Sequence, residues 1–358
     1  MTPGMSLGEW DRLGILNREL KIYREYVKYG WSVNILSFGT SDYCYKENAI
    51  KIIPVKLQNL ANLGTIEKKA FTDASIVKTR QTSKGYYYVR AAKSNKKPII
   101  LYGGYIQGQL LEDVNGKTIK TRIYQFLEAW AFKKASLCVV TTREQADWVS
   151  NKYQVPRNCL RVVDNFVDDC FVPTPEIAKL PASIVTVGRL EKVKRHEFLL
   201  QAAAKAGAQS VTIYGGGSQK TSLEKIAKQL GIQLNLPGNI PNERLPAELS
   251  KHELFAMTSV REGHPKALAE ALATGMCCVV TDNPGQRAII EGNVAFLVKD
   301  DIEELASVFK YLFGNPSIRT AYGKAAAEYG RNRFGFHHCF QQELAILEEV
   351  RMITCVNA

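Results

Sequence analysis

The amino-acid sequence predicts an α/β chain of two Rossmann-like domains, each a parallel sheet covered by helices. Three observations predict it. Short apolar runs alternate with segments of helical periodicity along the whole chain. At 358 residues the chain is long enough for two separate cores. Near its middle, residues 168–183 carry Pro173, Pro175 and Pro181 without periodicity and read as a linker. The expected organisation is an N-terminal domain at 1–167, the linker at 168–183, a second domain at 184–335, and a C-terminal helix at 336–358 packing back on the first domain.

In the first half, apolar runs at 33–38, 50–55, 98–102, 137–141 and 160–163 are the expected strands. Helices are expected to fill the intervals, and residues 13–28 and 121–134 have apolar positions three and four apart. The opening MTPGMSLGEWDRLG reads as a glycine-bearing loop with no apolar strand before it. A doubly wound domain normally sets such a loop after its first strand, so that strand is expected to be missing or the fold to begin differently. In the second half, strands are expected at 184–187, 211–214, 233–236, 254–258, 276–281 and 294–298, with helices between. Three helical segments follow from 302, the last containing the amphipathic run 339–350.

Composition narrows the class. A 46% hydrophobic content is that of a globular protein, no apolar run reaches membrane-spanning length, and no signal-peptide pattern opens the chain. The expected location is the cytoplasm. Eight cysteines lack CxxC spacing, and Cys138, Cys277 and Cys278 sit in strand-like runs, as reduced core residues do. The net charge of +12 is one-sided: residues 1–170 hold 26 Lys and Arg against 16 Asp and Glu, and the rest 21 against 19. The excess concentrates between residues 51 and 122. A basic face there suits an anionic partner, a membrane surface or a pyrophosphate-linked acceptor, with a plain solvated face as the simpler reading. Nucleic acid is disfavoured, because Tyr86 to Tyr88 in KGYYYVR is the sole aromatic-interleaved basic segment.

Ligands of open parallel sheets bind at the carboxyl ends of the strands, and three strand ends in the second half carry suitable chemistry. After 184–187 come Gly188, Arg189 and Lys194, where Arg offers a planar fork and Lys a point charge to a diphosphate. After 211–214 comes Gly215, Gly216 and Gly217, a turn that cradles phosphate or merely turns tightly. After 254–258 comes SVREGHPKALAEALATGMCCVV, with Glu262 in a loop, Gly263 after it, Pro265 at the expected helix start and Glu270 inside the helix. Such a helix N-terminus attracts anions. Alone, Glu262 and Glu270 could be acid and base, an ordinary pair with Lys266, or grips for hydroxyl groups.

The ordered set VGRLEKVKRHEFLL, IYGGGS, LPGNIPNERLPAEL and SVREGHPKALAEALATGMCCVVTDNPGQRAII resembles the donor-binding domain of family 4 retaining glycosyltransferases, of glycosyltransferase-B fold. TTREQADWV and VVDNFVDDCF resemble the end of that family's first domain, so the likeness covers residues 137–335. It implies two Rossmann-like domains facing across a cleft and transfer of a sugar from a nucleotide-diphospho-sugar, UDP- or GDP-linked, to a glycan or lipid-linked acceptor. Polysaccharide or glycolipid biosynthesis at the cytoplasmic face of a membrane would follow.

The resemblance also implies roles. Arg189 and Lys194 would neutralise the diphosphate, Glu262 would hold hydroxyls of the transferred sugar, and Glu270 would hold the ribose. Gly188, Gly215, Gly217, Gly263, His264, Ala267 and Leu268 would line the sugar and phosphates, and Asn239 and Ile240 the base. No metal or other cofactor is implied; two cations and a helix N-terminus would serve the leaving diphosphate. Substitution would occur on one face of the sugar, with the anomeric configuration retained. All five histidines lie in the second half, so Tyr105 in LYGGYIQG stands where the family often has a histidine; with Gly4, Ser6 and Gly8 it is the acceptor-side candidate. Ala288 replaces the glutamate expected after the PG turn. The alternatives are a nucleotide-sugar epimerase of the same fold and a non-catalytic nucleic-acid-binding or scaffold protein.

Overall fold

A computed structural model describes residues 6–12, 16–38, 49–55 and 70–356. They fall into two compact units, Met1–Asp164 with Phe340–Ala358, and Asn165–Cys339. As expected from the alternating apolar runs, both are α/β and every named strand pair is parallel.

In the first unit, β1 (Val33–Phe38) pairs with β2 (Ile50–Val55). A second sheet runs in the order β3 (Val77–Lys78), β4 (Ile99–Gly103), β5 (Leu137–Val140), β6 (Leu160–Val162). Every residue of β4 and β5 is buried, as unbroken apolar runs in a sheet covered on both faces must be. The covering helices bring Val89, Phe132 and Val149 onto Leu101 and Val140.

Two segments depart from the expected reading. Leu7–Arg12 is helical, not a glycine loop: Leu7 and Trp10, three apart, are buried, and the Ser6 hydroxyl caps the turn by accepting from the Glu9 amide at 3.1 Å. The run KGYYYVR lies in a helix, Gly85–Ser94, with Tyr88 in the core and Tyr86 against Trp130 at 4.8 Å between ring centres. Its aromatics serve packing, which removes the one hint of a base-stacking surface.

The helix Gln107–Asn115 starts beneath the buried Glu128, whose carboxylate accepts from the amides of Gln107 (3.2 Å) and Gly108 (2.8 Å) and from the Tyr153 hydroxyl (2.6 Å). A helix N-terminus is thus filled by the protein's own anion. Burial raises the Glu128 pKa against these three donors. From Phe340 onward the helix Phe336–Val356 belongs to this unit. Its Glu343 accepts from Tyr26 at 2.5 Å and pairs with Lys78, and its Glu349 takes Arg161 Nε at 3.1 Å. Arg80, beside Lys78, pairs with buried Glu19 and lies over Trp10. Two cations of the basic 51–122 stretch are therefore spent inside this unit.

The second unit has one six-stranded sheet in the order β12-β11-β10-β7-β8-β9. Its strands are β7 (Ser183–Val187), β8 (Ser210–Tyr214), β9 (Gln233–Gly238), β10 (Leu254–Met257), β11 (Cys277–Thr281) and β12 (Phe296–Val298). The chain lays β8 and β9 on one side of β7, then returns to place β10 on the other. The order therefore reverses between β7 and β10, the kind of crevice in which doubly wound sheets bind ligands. Alternate residues face opposite cores, so Cys277 packs with Ile184 and Phe309, while Cys278 packs with Phe255 and Leu268. Both are buried free thiols, and burial pushes the Cys277 thiol up to about 12.

Candidate functional site

The expected cationic and acidic residues meet at the reversal between β7 and β10. Gly188 to Lys194 leave the end of β7, and Thr258 to Glu262 leave the end of β10. Because the strands are neighbours, the loops touch: the Val260 amide donates to the Val193 carbonyl at 2.9 Å. The Thr258 hydroxyl lies 3.2 and 3.1 Å from the carbonyls of Lys194 and Arg195. Lys194 Nζ then reaches Glu262 Oε1 at 2.5 Å, both side chains largely buried. Charges so placed in a low-dielectric crevice attract each other, so any anion reaching the ammonium would have to compete with Glu262. Arg189 is exposed and makes no ion pair among the described residues. The loop after β7 thus presents one cation already paired with a carboxylate, Lys194, and one exposed cation, Arg189.

His196, which the motif reading passed over, holds this loop from behind. Its Nε2 lies 3.1 Å from the Arg189 carbonyl, and burial, with the nearby Lys194 charge, lowers its pKa to about 4. The ring is neutral across the physiological range, adding no further positive charge.

The glycines after β8 have a structural cause. Gly215 has φ +141°, and a Cβ there would lie 2.1 Å from the Gly188 carbonyl oxygen. Gly217 has φ +159°, with Leu190 O at 2.5 Å from the same ideal position. The two loops are laced by Leu190 N to Gly216 O (2.9 Å) and Gln219 N to Leu190 O (3.0 Å). Glycine is required because backbone packs on backbone, which aligns the Arg189 loop. The Gly215 amide also donates to Gly238 at 2.9 Å, bringing the Asn239 loop alongside. Asn239 is exposed there and Ile240 is half-buried against the core.

The helix begins at Lys266, with Pro265 as its capping residue one position before the expected first turn, and runs to Ala273. Gly263 and Ala267 are partly exposed at its start, whereas Glu270 is buried in its middle. Two residues expected to line the ligand are turned to other work. The Leu268 side chain is in the core and its amide donates to the Pro265 carbonyl at 3.1 Å. The His264 ring is buried edge-on to Phe334 at 5.6 Å. On the acceptor side, Gly4 lies outside the described residues, Ser6 and Gly8 belong to the Leu7–Arg12 cap and helix, and the Tyr105 carbonyl accepts from Thr82 at 3.0 Å.

A buttress behind Glu262 was missed. At Gly285 an added Cβ would lie 2.1 Å from the Glu262 carbonyl oxygen, so the NPGQ turn after β11 lies directly against the Glu262 backbone. Asn283 caps the short helix Pro284–Arg287 through the Gln286 amide (3.1 Å) and sends its own amide to the Ser259 carbonyl at 2.7 Å. Buried Gln286 donates to the Met257 carbonyl at 3.1 Å. The signal was present in the Asn-Pro-Gly turn, but only the fold shows which loop it supports. Among the described residues no group of three or more His, Cys, Asp or Glu side chains is arranged to hold a metal ion.

Residues 173–329 match the family model described as glycosyl transferases group 1. Among curated proteins, the chain is 26% identical over 212 residues to N-acetylgalactosamine-N,N'-diacetylbacillosaminyl-diphospho-undecaprenol 4-alpha-N-acetylgalactosaminyltransferase of Campylobacter jejuni, covering 57% of this chain and 58% of that protein's length. Among solved structures it is similar to sucrose-phosphate synthase from Thermosynechococcus elongatus, with TM-score 0.80, 16% identity and 94% and 93% of the two chains covered. It is also similar to Anabaena HepE in complex with UDP, with TM-score 0.73, 15% identity and 84% and 87% covered. These likenesses extend through both units and establish the glycosyltransferase-B fold.

Proposed function

We propose, from the match of residues 173–329 to the glycosyl transferases group 1 family model, that this chain transfers a sugar from a nucleotide-diphospho-sugar to a glycan or lipid-linked acceptor, with retention of configuration. The observation that carries the reading is the Lys194–Glu262 pair, 2.5 Å apart at the reversal between β7 and β10 with exposed Arg189 on the same loop. A cation, a sugar-gripping carboxylate and a second cation on the tied loops suit a diphospho-sugar better than they suit a nucleic acid. The name of the Campylobacter relative, a transferase acting on a diphospho-undecaprenol-linked saccharide, supports a lipid-linked acceptor.

In this reading Arg189 and Lys194 hold the diphosphate, Glu262 turns from Lys194 to the sugar hydroxyls, and Glu270 takes the ribose. Gly188, Gly215 and Gly217 keep the cationic loop in position, Gly263 and Ala267 line the phosphate side, and Asn239 and Ile240 face the base. The bond from the anomeric carbon to the diphosphate oxygen breaks as the acceptor oxygen bonds that carbon on the same face. The acceptor hydroxyl proton passes to the leaving phosphate oxygen. Positive charge at Lys194 and Arg189 stabilises the negative charge developing there, a job for which preorganised cations are effective. The Asn165–Cys339 unit is the donor side and the other unit the acceptor side, working at the cytoplasmic face of a membrane.

A thermal-shift screen tests the donor half. UDP or GDP, with its sugar, should raise the melting point by mass action, whereas ADP should not, and the responding nucleotide names the base. Glu270→Ala should abolish most of the shift. Equal shifts in the variant, or no shift with any nucleotide, would count against the assignment.

A further inference from the structure

The helix Ile119–Lys134 of the first unit carries apolar residues on its solvent side that the proposed chemistry does not use. Ile119, Ile123 and Phe126 are 78%, 56% and 72% exposed, an unusual degree for three large apolar side chains on one helix. Their spacing of four and then three places them on one stripe, which half-buried Trp130 continues four residues later. A core-facing stripe would be buried. The core side of this helix is a different one, made by Thr121, Glu128, Ala131 and Phe132.

Charge identifies what covers the stripe. Exposed Arg122 and Lys133 flank it on one side and exposed Lys120 and Lys134 on the other, with exposed Lys117 just before the helix. The helix's single acidic residue, Glu128, is buried under the Gln107–Asn115 helix, so the helix itself presents no carboxylate outward; Glu112 of the neighbouring helix lies 3.9 Å from Lys117 and accepts from Gln125. An apolar ridge between two rows of cations matches a bilayer of anionic lipids, apolar side chains entering the acyl boundary and ammonium and guanidinium groups meeting phosphates. A protein partner would have to be acidic and apolar at once. Trp130, tilted against Tyr86, adds an aromatic of the type found at membrane interfaces. Among the described residues no helix is long and apolar enough to cross a membrane, so contact here would be at the surface.

We propose that the solvent-facing stripe Ile119, Ile123, Phe126 and its flanking lysines and arginine form a docking surface for an anionic lipid bilayer. It takes in the end of the basic stretch 51–122, at Lys117, Lys120 and Arg122, but is narrower than that stretch, in which Lys78 and Arg80 point inward to Glu343 and Glu19. The surface deepens the reading of a lipid-linked acceptor, since a protein held on the bilayer searches for such an acceptor in two dimensions.

The test is co-sedimentation of the full chain, without donor or acceptor, with vesicles of phosphatidylcholine alone or containing phosphatidylglycerol. Wild type should bind the anionic vesicles, leave phosphatidylcholine in solution, and release as salt rises. Ile123→Ser/Phe126→Ser should weaken partitioning at least about tenfold. Lys120→Gln/Arg122→Gln should remove much of the preference for anionic lipid. Because these side chains are exposed, the variants should keep the wild-type melting point and nucleotide-induced shift, which separates loss of docking from failure of the donor site. Undiminished vesicle binding by the serine variant, or indifference of wild type to lipid charge, overturns the proposal. So does a wild-type dimer in sedimentation velocity that the serine variant converts to monomer, since a second copy would then be the cover.

Discussion

Replacing Gly285 by alanine tests whether the NPGQ turn positions Glu262. The added Cβ would sit 2.1 Å from the Glu262 carbonyl oxygen and 3.0 Å from the Glu262 Cβ, where real Cβ atoms do not come closer than 3.0 Å. Taking 2.1 from 3.0 leaves 0.9 Å that one backbone must yield. Buried Asn283 and Gln286 hold the turn to the Ser259 and Met257 carbonyls, so the Glu262 side of the contact is the one with room to move. A displacement of about 1 Å at a group that orients the reacting sugar costs on the order of a hundredfold in rate. The strain costs about 1–3 kcal/mol of stability, which in a unit of this size is a fall of roughly 2–12 °C in melting point. The assay is release of nucleoside diphosphate from the donor that the thermal-shift screen selects, run beside that screen on the variant. Turnover should collapse while the nucleotide-induced shift persists, because Glu270 sits inside the helix Lys266–Ala273 and not in the Glu262 loop that the added Cβ displaces. Wild-type turnover in a folded variant, with or without a lowered melting point, would show that the turn only stabilises the unit.

Two further outcomes follow from the same loops. Lys194→Met keeps most of the stem that packs 3.6 Å from Gly188's Cβ position but deletes the charge; turnover should fall about 10²- to 10³-fold at saturating donor, and near-normal turnover would show that Lys194 serves Glu262 alone. Acid should destabilise the Asn165–Cys339 unit through His196 and His252, both held near 4 by burial against an ordinary 6.5. The unfolded chain takes up these protons first, so stability is full above about pH 6.5 and declines as pH falls toward 4, by up to about 3 kcal/mol for His196. Urea midpoints measured across that range should fall accordingly, and His196→Gln should flatten the fall; a midpoint independent of pH would refute it.

Much of the second unit was legible because parallel-sheet physics writes itself plainly. Strands buried on both faces need unbroken apolar runs, and each of the six expected runs there became a strand within a few residues of its expected bounds. In the first unit, β1 and β2 coincide with the expected apolar runs 33–38 and 50–55, and β4 starts one residue after Pro98, which has no amide to give the ladder. The helices Gly85–Ser94 and Gln107–Asn115 lie in intervals where helices are expected, but their bounds were not legible, and neither was the helix Leu7–Arg12. Their starts carry glycines and lack strong periodicity, and they are stabilised by tertiary packing: burial of Trp10 in the first, contact with Trp130 in the second and capping by Glu128 in the third.

For the site, the sequence by itself determined the chemical inventory: two cations after one strand, glycines after the next, and two carboxylates around a proline-started helix. Local signals sufficed, since turn chemistry and strand ends are local. Only the tertiary structure decided the pairing. Lys194 and Glu262 are 68 positions apart, and they meet because β10 lies beside β7 and not beside β9. The same non-local packing gave Gly215 and Gly217 their cause in the β7 loop, turned His264 and Leu268 inward, and set Gly285 behind Glu262. A residue's chemistry is written at its own position, but its neighbour across a sheet is chosen by the order in which strands are laid down.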